Sequence, residues 1–383
     1  MLKVGDLMVY LDYSATTKVS DEVLDSFIKA TKYSGNPNSL HKLGSDALGL
    51  IDASTKQIAK LLGVDKSEVI YTSGASESNN TAIKGVCLAH PNKKHIITTP
   101  LEHSSIYGPI NYLVDLGYSV DFVKIKENGL VDIDNLKELI NDDTILVSIG
   151  CVNSEIGIRQ PVEEIGSLLK KYKQIYFHSD LTQAVGKCKV DLTNIDLASF
   201  SGHKIFGIKG SGCLIKKKSV SITPLIHGGK STTSYRSGTP ATELIASLSK
   251  ALRIALEEID KKYDYVSELN SYLKDKLSKY DNVFINSNEY SIPHVLNLSV
   301  VGIKPEVMQH ALEEYDIYIS TQSACSVATT SKAVMAVTNS KDRASSSIRV
   351  SLSYKTTKEE LDYFIKYFDV CYNKLRSIRN GSN

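Results

Sequence analysis

Seven short runs rich in β-branched and apolar residues, at 68–71, 95–99, 119–125, 144–152, 174–178, 197–200 and 212–215, alternate with helical stretches through the first two thirds of the chain. Such alternation predicts an α/β domain with a largely parallel sheet and helices on both of its faces. From residue 241 the pattern changes. Leu244, Ile245, Leu248, Ala251, Leu252, Ala255 and Ile259 recur at helical spacing, and helical character continues with interruptions toward Tyr280. This region reads as the bridge to a smaller α+β unit, with strands expected at 283–285, 295–300, 318–319 and 348–352 and a charged helix from Lys358. A length of 383 residues accommodates two such units, since one hydrophobic core rarely grows past about 250 to 300 residues.

Several function classes are excluded early. Forty-five basic against 43 acidic side chains leave a formal charge of +2, so nothing pulls the chain as a whole toward nucleic acid or an anionic membrane. No apolar run approaches the roughly 18 residues that span a bilayer, and Asp6 and Asp12 interrupt the N-terminus where a signal peptide needs an apolar stretch. A cytoplasmic location and a small-molecule partner are expected. The six cysteines show no C-x-x-C pair and no Cys/His spacing of the zinc kind, so no metal is expected. Five of them sit in apolar surroundings and read as small core residues. Cys325 differs. It lies in the polar run 320–331, which has neither helical nor strand periodicity and predicts a mobile, exposed loop holding one thiol.

In an open α/β sheet, ligands bind beyond the carboxyl ends of the strands. After the first strand, residues 72–80 form a small-residue turn that opens a helix, with N–H groups free to meet a phosphate; an ordinary Ser/Thr helix cap explains the same residues. It lacks the Walker lysine and the G-x-G-x-x-G spacing of nucleotide sites. Asp180 falls where an apolar strand ends, and it suits either a protonated heterocyclic nitrogen or a helix cap. Lys204 follows the turn Ser201-Gly202-His203 in glycine-rich surroundings, where desolvation turns a lysine into a nucleophilic amine. Together, Lys204, Asp180 and the donors at 73–76 and 201–203 are the parts of a pyridoxal phosphate site: a Schiff-base lysine, a pyridinium partner and a phosphate cradle.

The segments Tyr10-Leu-Asp-Tyr-Ser-Ala-Thr-Thr17, Gly35-Asn-Pro-Asn-Ser-Leu-His41, Thr72-Ser-Gly-Ala-Ser-Glu-Ser78, Glu102-His103, Asp180-Leu-Thr-Gln183, Ser201-Gly-His-Lys204, Arg236-Ser-Gly-Thr239, Ser323-Ala-Cys325 and Ser347-Ile-Arg349 closely resemble the NifS-like cysteine desulfurases of the class V aminotransferases, in order along nearly the whole chain. The resemblance implies a fold type I pyridoxal-phosphate enzyme, α/β, with a large domain at 13–255 around a mostly parallel seven-stranded sheet. A smaller α+β domain, 1–12 and 256–383, would carry the cysteine loop. It further implies a homodimer that converts L-cysteine to L-alanine and passes the sulfur, as a persulfide on Cys325, to an acceptor protein of iron–sulfur assembly or tRNA thiolation. Lys204 would hold the cofactor and move the Cα proton, Asp180 would keep the ring nitrogen protonated, and Gln183 would bond the ring hydroxyl. His103 would stack on the ring and act as acid or base near the substrate sulfur. Ala75, Ser76, Ser201 and His203 would hold the phosphate, with Thr239 reaching in from the second subunit. Arg349, alternating with Ile348, Val350 and Leu352 and so turned from the apolar side of its strand, would bind the substrate carboxylate through its planar fork.

Departures from the family pattern also show. Ser154 stands where the family has a second asparagine that contacts cofactor and substrate, residues 228–232 read Gly-Gly-Lys-Ser-Thr, and Gln322 replaces the glycine before Ser-Ala-Cys. The loop from Cys325 to Arg349 looks short, and the chain stops without the extension that docks a scaffold in the iron–sulfur members, which points to a dedicated acceptor. Two other readings keep the fold. A selenocysteine lyase or aminotransferase needs no mobile thiol, so the Ser-Ala-Cys loop speaks against it. A non-catalytic partner in a sulfur-transfer assembly draws on Ser154 and the altered 230–233 segment.

Overall fold

The computed structural model describes residues 7–321 and 330–381. After the two-residue strand β1 (Val9–Tyr10), seven strands build the main sheet: β2 (Val69–Thr72), β3 (His95–Thr98), β4 (Ser119–Phe122), β5 (Thr144–Ser148), β6 (Tyr176–Asp180), β7 (Leu197–Ser201) and β8 (Gly212–Lys216). Their order is β2-β8-β7-β6-β5-β3-β4. Only β8 runs antiparallel to its neighbours; the pairs among β3 to β7 are parallel.

Strand side chains alternate between faces, so neighbours along one strand enter different cores. Ile97, Val147 and Cys213 join the apolar cluster on one face, while Ile96, Leu146 and Leu214 join that on the other. Every residue of β5, β7 and β8 is buried, as a central strand covered by helices on both sides requires.

A second, three-stranded antiparallel sheet joins β9 (Val283–Ile285), β10 (Val295–Val300) and β12 (Ser347–Ser351) in the order β12-β10-β9, while β11 (Ile317–Tyr318) pairs in parallel with β1. Leu298, Ile348 and Val350 pack there with Leu361, Phe364 and Phe368 of the helix Lys358–Gly381 and with Val9 and Leu11. The expected long helical region is two helices, Thr242–Leu256 and Ile259–Leu277. They part at Glu258, whose left-handed backbone (φ 51°) cannot continue a right-handed helix. Among the described residues, no helix is long and apolar enough to cross a membrane.

The segment 12–17 is bonded to the smaller sheet and to the turn that follows β7. Ser14 N–H donates to Ser351 Oγ (2.9 Å), and Thr17 N–H donates to the carbonyl of His203 (2.9 Å).

Candidate active site

A cavity of about 540 Å³ opens beyond the carboxyl ends of the parallel strands. Because each of those strands stops at a polar residue and turns, their successor residues converge there: Ala75 and Ser76 after β2, Glu102 and His103 after β3, Ser154 after β5, Asp180 and Gln183 from β6, and Ser201, His203 and Lys204 from β7. Arg349 of β12 and the backbone of Ser14 and Ala15 close the opposite side. Residues spread over most of the sequence thus share one space.

Lys204 ends a short 3-10 turn, Gly202–Lys204. A Cβ at Gly202 would lie 2.4 Å from Ser211 Oγ, and one at Gly207 would lie 2.6 Å from the Gly202 carbonyl, so only glycine lets the turn fold this tightly. Nζ of Lys204 donates to the carbonyls of Ser14 (2.5 Å) and Ala15 (2.7 Å). Gln183 Nε2 donates to the same Ser14 carbonyl (2.9 Å), and the other end of its amide accepts from the buried Lys187 (2.5 Å). Burial first, then the charges of Lys204 and Arg349, lower the Lys187 ammonium to about 7.

Asp180 accepts from Thr182 N–H (2.9 Å) on one oxygen and from Asn79 Nδ2 (2.8 Å) on the other. His103 caps the helix Ser104–Asp115, its Nδ1 accepting from the Ser105 backbone N–H (3.1 Å). Desolvation lowers the His103 pKa; Asp180 opposes that shift and Lys204 adds to it. Glu102 turns inward, accepting from Thr99 Oγ1 (2.7 Å) and Gly150 N–H (3.0 Å), and burial raises its carboxyl to about 7.

The turn after β2 lies flush with the start of β8. Gly74 adopts φ 155°, and a Cβ at Gly212 would meet Gly74 Cα at 2.5 Å. That close approach lets the Ala75 N–H donate to Ser201 Oγ (2.7 Å). His203 Nδ1 bonds Thr16 Oγ1 (3.1 Å), and burial with Lys204, Lys209 and Lys187 nearby pushes its pKa down to about 4. Glu77 accepts from Ser73 N–H (2.7 Å) and Arg236 Nε (3.0 Å), so the 236 segment of the same chain braces this turn.

Arg349 is 1% exposed rather than a surface strand residue. Its Nη2 meets Asp12 Oδ1 at 2.7 Å and its Nη1 donates to the Ser154 carbonyl at 2.9 Å. Residues 154–156 form a turn, and the Asn153 amide at its start is committed, donating to Leu101 O and accepting from the N–H groups of Glu155 and Ile156.

The cavity suits an aromatic phosphate bearing an aldehyde. It offers a lysine amine, a carboxylate that would partner a heterocyclic nitrogen, and a helix N-terminus beside two polar turns. Buried polar atoms without partners, Ser14 Oγ, Thr182 Oγ1 and Arg349 Nε, belong to residues on its wall, as in a pocket built for a polar guest.

The family model of class-V aminotransferases matches residues 9–364. A cysteine desulfurase IscS of Rickettsia bellii is 40% identical over 97% of this chain and 93% of its own length. The chain belongs to the class-V aminotransferases, among the NifS-like cysteine desulfurases. The solved structure of a NifS-like protein superposes with a TM-score of 0.90 at 36% identity, covering 95% of this chain and 99% of that one. That of SspA in complex with cysteine superposes with a TM-score of 0.79 at 31% identity, covering 91% and 100%. These relatives share the fold type I architecture, and the cofactor of the family is pyridoxal 5'-phosphate.

Of the side chains singled out from the desulfurase pattern, Ala75, Ser76, His103, Ser154, Asp180, Gln183, Ser201, His203, Lys204 and Arg349 line the one cavity. Thr239 is exposed and lies off the wall of its own chain's cavity. Cys325 lies outside the described residues. The other five cysteines are free and buried. Sequence reasoning passed over Asp12, Asn79 and Lys187, whose contacts with Arg349, Asp180 and Gln183 appear only once the chain is folded. Asp12 lies within the family-like segment 10–17 and Asn79 within the turn 72–80 that opens a helix, which was the available signal.

Proposed function

We propose that this desulfurase converts L-cysteine and the Cys325 thiol into L-alanine and a Cys325 persulfide. In the balance, the Cβ–S bond of cysteine breaks, an S–S bond forms, and the hydrogens of the two thiols end on the alanine methyl group and the outer persulfide sulfur. The observation that carries the reading is the convergence of Lys204, Asp180, His103 and Arg349 on one cavity. Bound pyridoxal phosphate supplies an electron sink for the pair left at Cα when its proton departs.

The chain's own residues do the rest. Ala75, Ser76, Ser201 and His203 hold the phosphate, Gln183 holds the ring oxygen, and Asp180 holds the ring nitrogen in its charged form. Lys204 anchors the cofactor through Nζ and moves the Cα proton. His103 covers the ring and handles a proton at the substrate. Arg349, already oriented by Asp12 and Ser154, grips the substrate carboxylate. Thr239, exposed on its own chain, fits a role across a homodimer contact, and the exposed Leu24, Ile28, Tyr33, Leu43 and Leu48 supply apolar area for that pairing. An acceptor protein then takes the sulfur.

The test is to supply the purified yellow protein with cysteine and a thiol reductant and to measure sulfide and alanine together. Equal amounts of both, lost in Cys325→Ser while the cysteine-induced spectral change persists, are expected. Sulfide release from Cys325→Ser at the normal rate would sink the persulfide route.

A further inference from the structure

We propose that Asn79 and Ser105 are positioning residues that present His103 to the cavity in a single tautomer, with its proton on Nε2. The inference rests on the reading of His103 as the side chain that handles the substrate's proton, and deepens it by fixing which nitrogen carries the hydrogen.

The argument is proton accounting along one line of contacts. The Asp180 oxygens act here as acceptors, and one of them is already taken by Thr182 N–H. The Asn79 group 2.8 Å from the other oxygen must therefore be the amide nitrogen, since the amide oxygen there would set lone pair against lone pair. The same Nδ2 has a second hydrogen, which points at Ser105 Oγ, 2.9 Å away. Receiving that hydrogen, the serine hydroxyl directs its own toward His103 Nδ1 at 2.8 Å. Nδ1 also receives the Ser105 backbone N–H, which can only donate. Two donors aimed at Nδ1 leave no room for a hydrogen on it, so the neutral ring carries its proton on Nε2.

Asn79 is fully buried, and its Oδ1 has no partner. A buried amide oxygen left unpaired is costly. That Asn79 keeps this arrangement shows that its two N–H contacts set its orientation. Desolvation, with Lys204 adding and Asp180 opposing, lowers the His103 pKa and so favours the neutral ring. In this form His103 enters the reaction as an acid at Nε2 and becomes a base there only after giving that proton up.

The test is nitrogen-15 NMR of the full-length protein with labelled histidine, with cofactor bound and after its removal, His103 being assigned by its loss in His103→Gln. Expected is a protonated Nε2 and an unprotonated Nδ1 whose resonance lies upfield of an unbonded ring nitrogen. Ser105→Ala removes the hydroxyl and leaves the backbone N–H, so Nδ1 moves downfield; Ser105→Thr restores it. Asn79→Ala moves it the same way. A proton on Nδ1, or an Nδ1 resonance indifferent to Ser105→Ala, overturns the proposal. Neither outcome depends on turnover, so the result stands apart from whether cysteine is the substrate.

Discussion

Ser154 stands where the family pattern has a second asparagine, yet its carbonyl still holds Arg349 Nη1. Only side-chain reach is lost. An asparagine amide offers two donors and an acceptor, a serine hydroxyl a single shorter donor. The neighbouring Asn153 cannot substitute, because its amide is spent on the turn. A hydrogen bond to a charged group is worth about 1.5 to 3 kcal/mol, or roughly ten- to a hundredfold in affinity. Ser154→Asn should therefore lower the KM for cysteine with little change in the visible spectrum, as steady-state kinetics would show; an unchanged or raised KM would mean that another group already fills the position. Lys187 is the reverse case, a buried amine that donates to an amide oxygen rather than to a carboxylate. Lys187→Met should leave the cofactor-free protein equally or more stable in calorimetry, since burying an apolar isostere avoids desolvating a charge. Loss of the contact that orients Gln183 should weaken cofactor binding by roughly three- to tenfold, measured by titration of the cofactor-free protein. Unchanged cofactor affinity would remove Lys187 from the site.

At the scale of elements, the turn after β2 and the start of β8 depend on a glycine pair. Gly212→Ala would drive a methyl group to 2.5 Å from Gly74 Cα, against backbone that cannot swing aside. Overpacking of this kind costs about 1 to 3 kcal/mol, and because the displaced segment carries Ala75 and Ser76, cofactor affinity should fall along with the melting temperature. Normal cofactor binding in a destabilised variant would show that the cradle tolerates the shift. The strands around these turns were legible beforehand because a fully buried parallel strand, such as β5 with its run Thr-Ile-Leu-Val-Ser, writes its environment into local composition. Asp180 and Lys204 were legible for a related reason, each following such a run. The burial of Arg349 was not: alternation along β12 turns it from the apolar face, but the Asp12 and Ser154 groups that receive it are brought by the N-terminal segment and the turn after β5. The division at Glu258 escaped notice too, since no glycine or proline marks it and the left-handed residue is a glutamate.

For the molecule as a whole, three histidines with lowered pKa, His178 and His294 buried and His203 partly buried, set the response to acid. Burial pushes His178 and His203 down to about 4 and His294 to about 3, whereas in the unfolded chain a histidine takes up its proton near 6.5. Between about 4 and 6.5 the unfolded state then binds more protons than the native state at these three positions, so stability rises with pH across that window. Glu102 works the other way. Its carboxyl, raised to about 7 by burial, stays protonated in the folded protein while the unfolded form ionises, so its contribution falls as pH rises from about 4.5 to 7. Asp196, raised by burial, adds to Glu102, and His103, lowered by burial, adds to the histidines, which remain the larger group. The melting temperature of the cofactor-free protein should drop from pH 7 to pH 5, with net proton uptake on unfolding measurable by calorimetry in buffers of different ionisation enthalpy. His294→Asn should flatten the profile, and Glu102→Gln should steepen it. A melting temperature independent of pH over this range would mean that these side chains reach solvent before they are titrated.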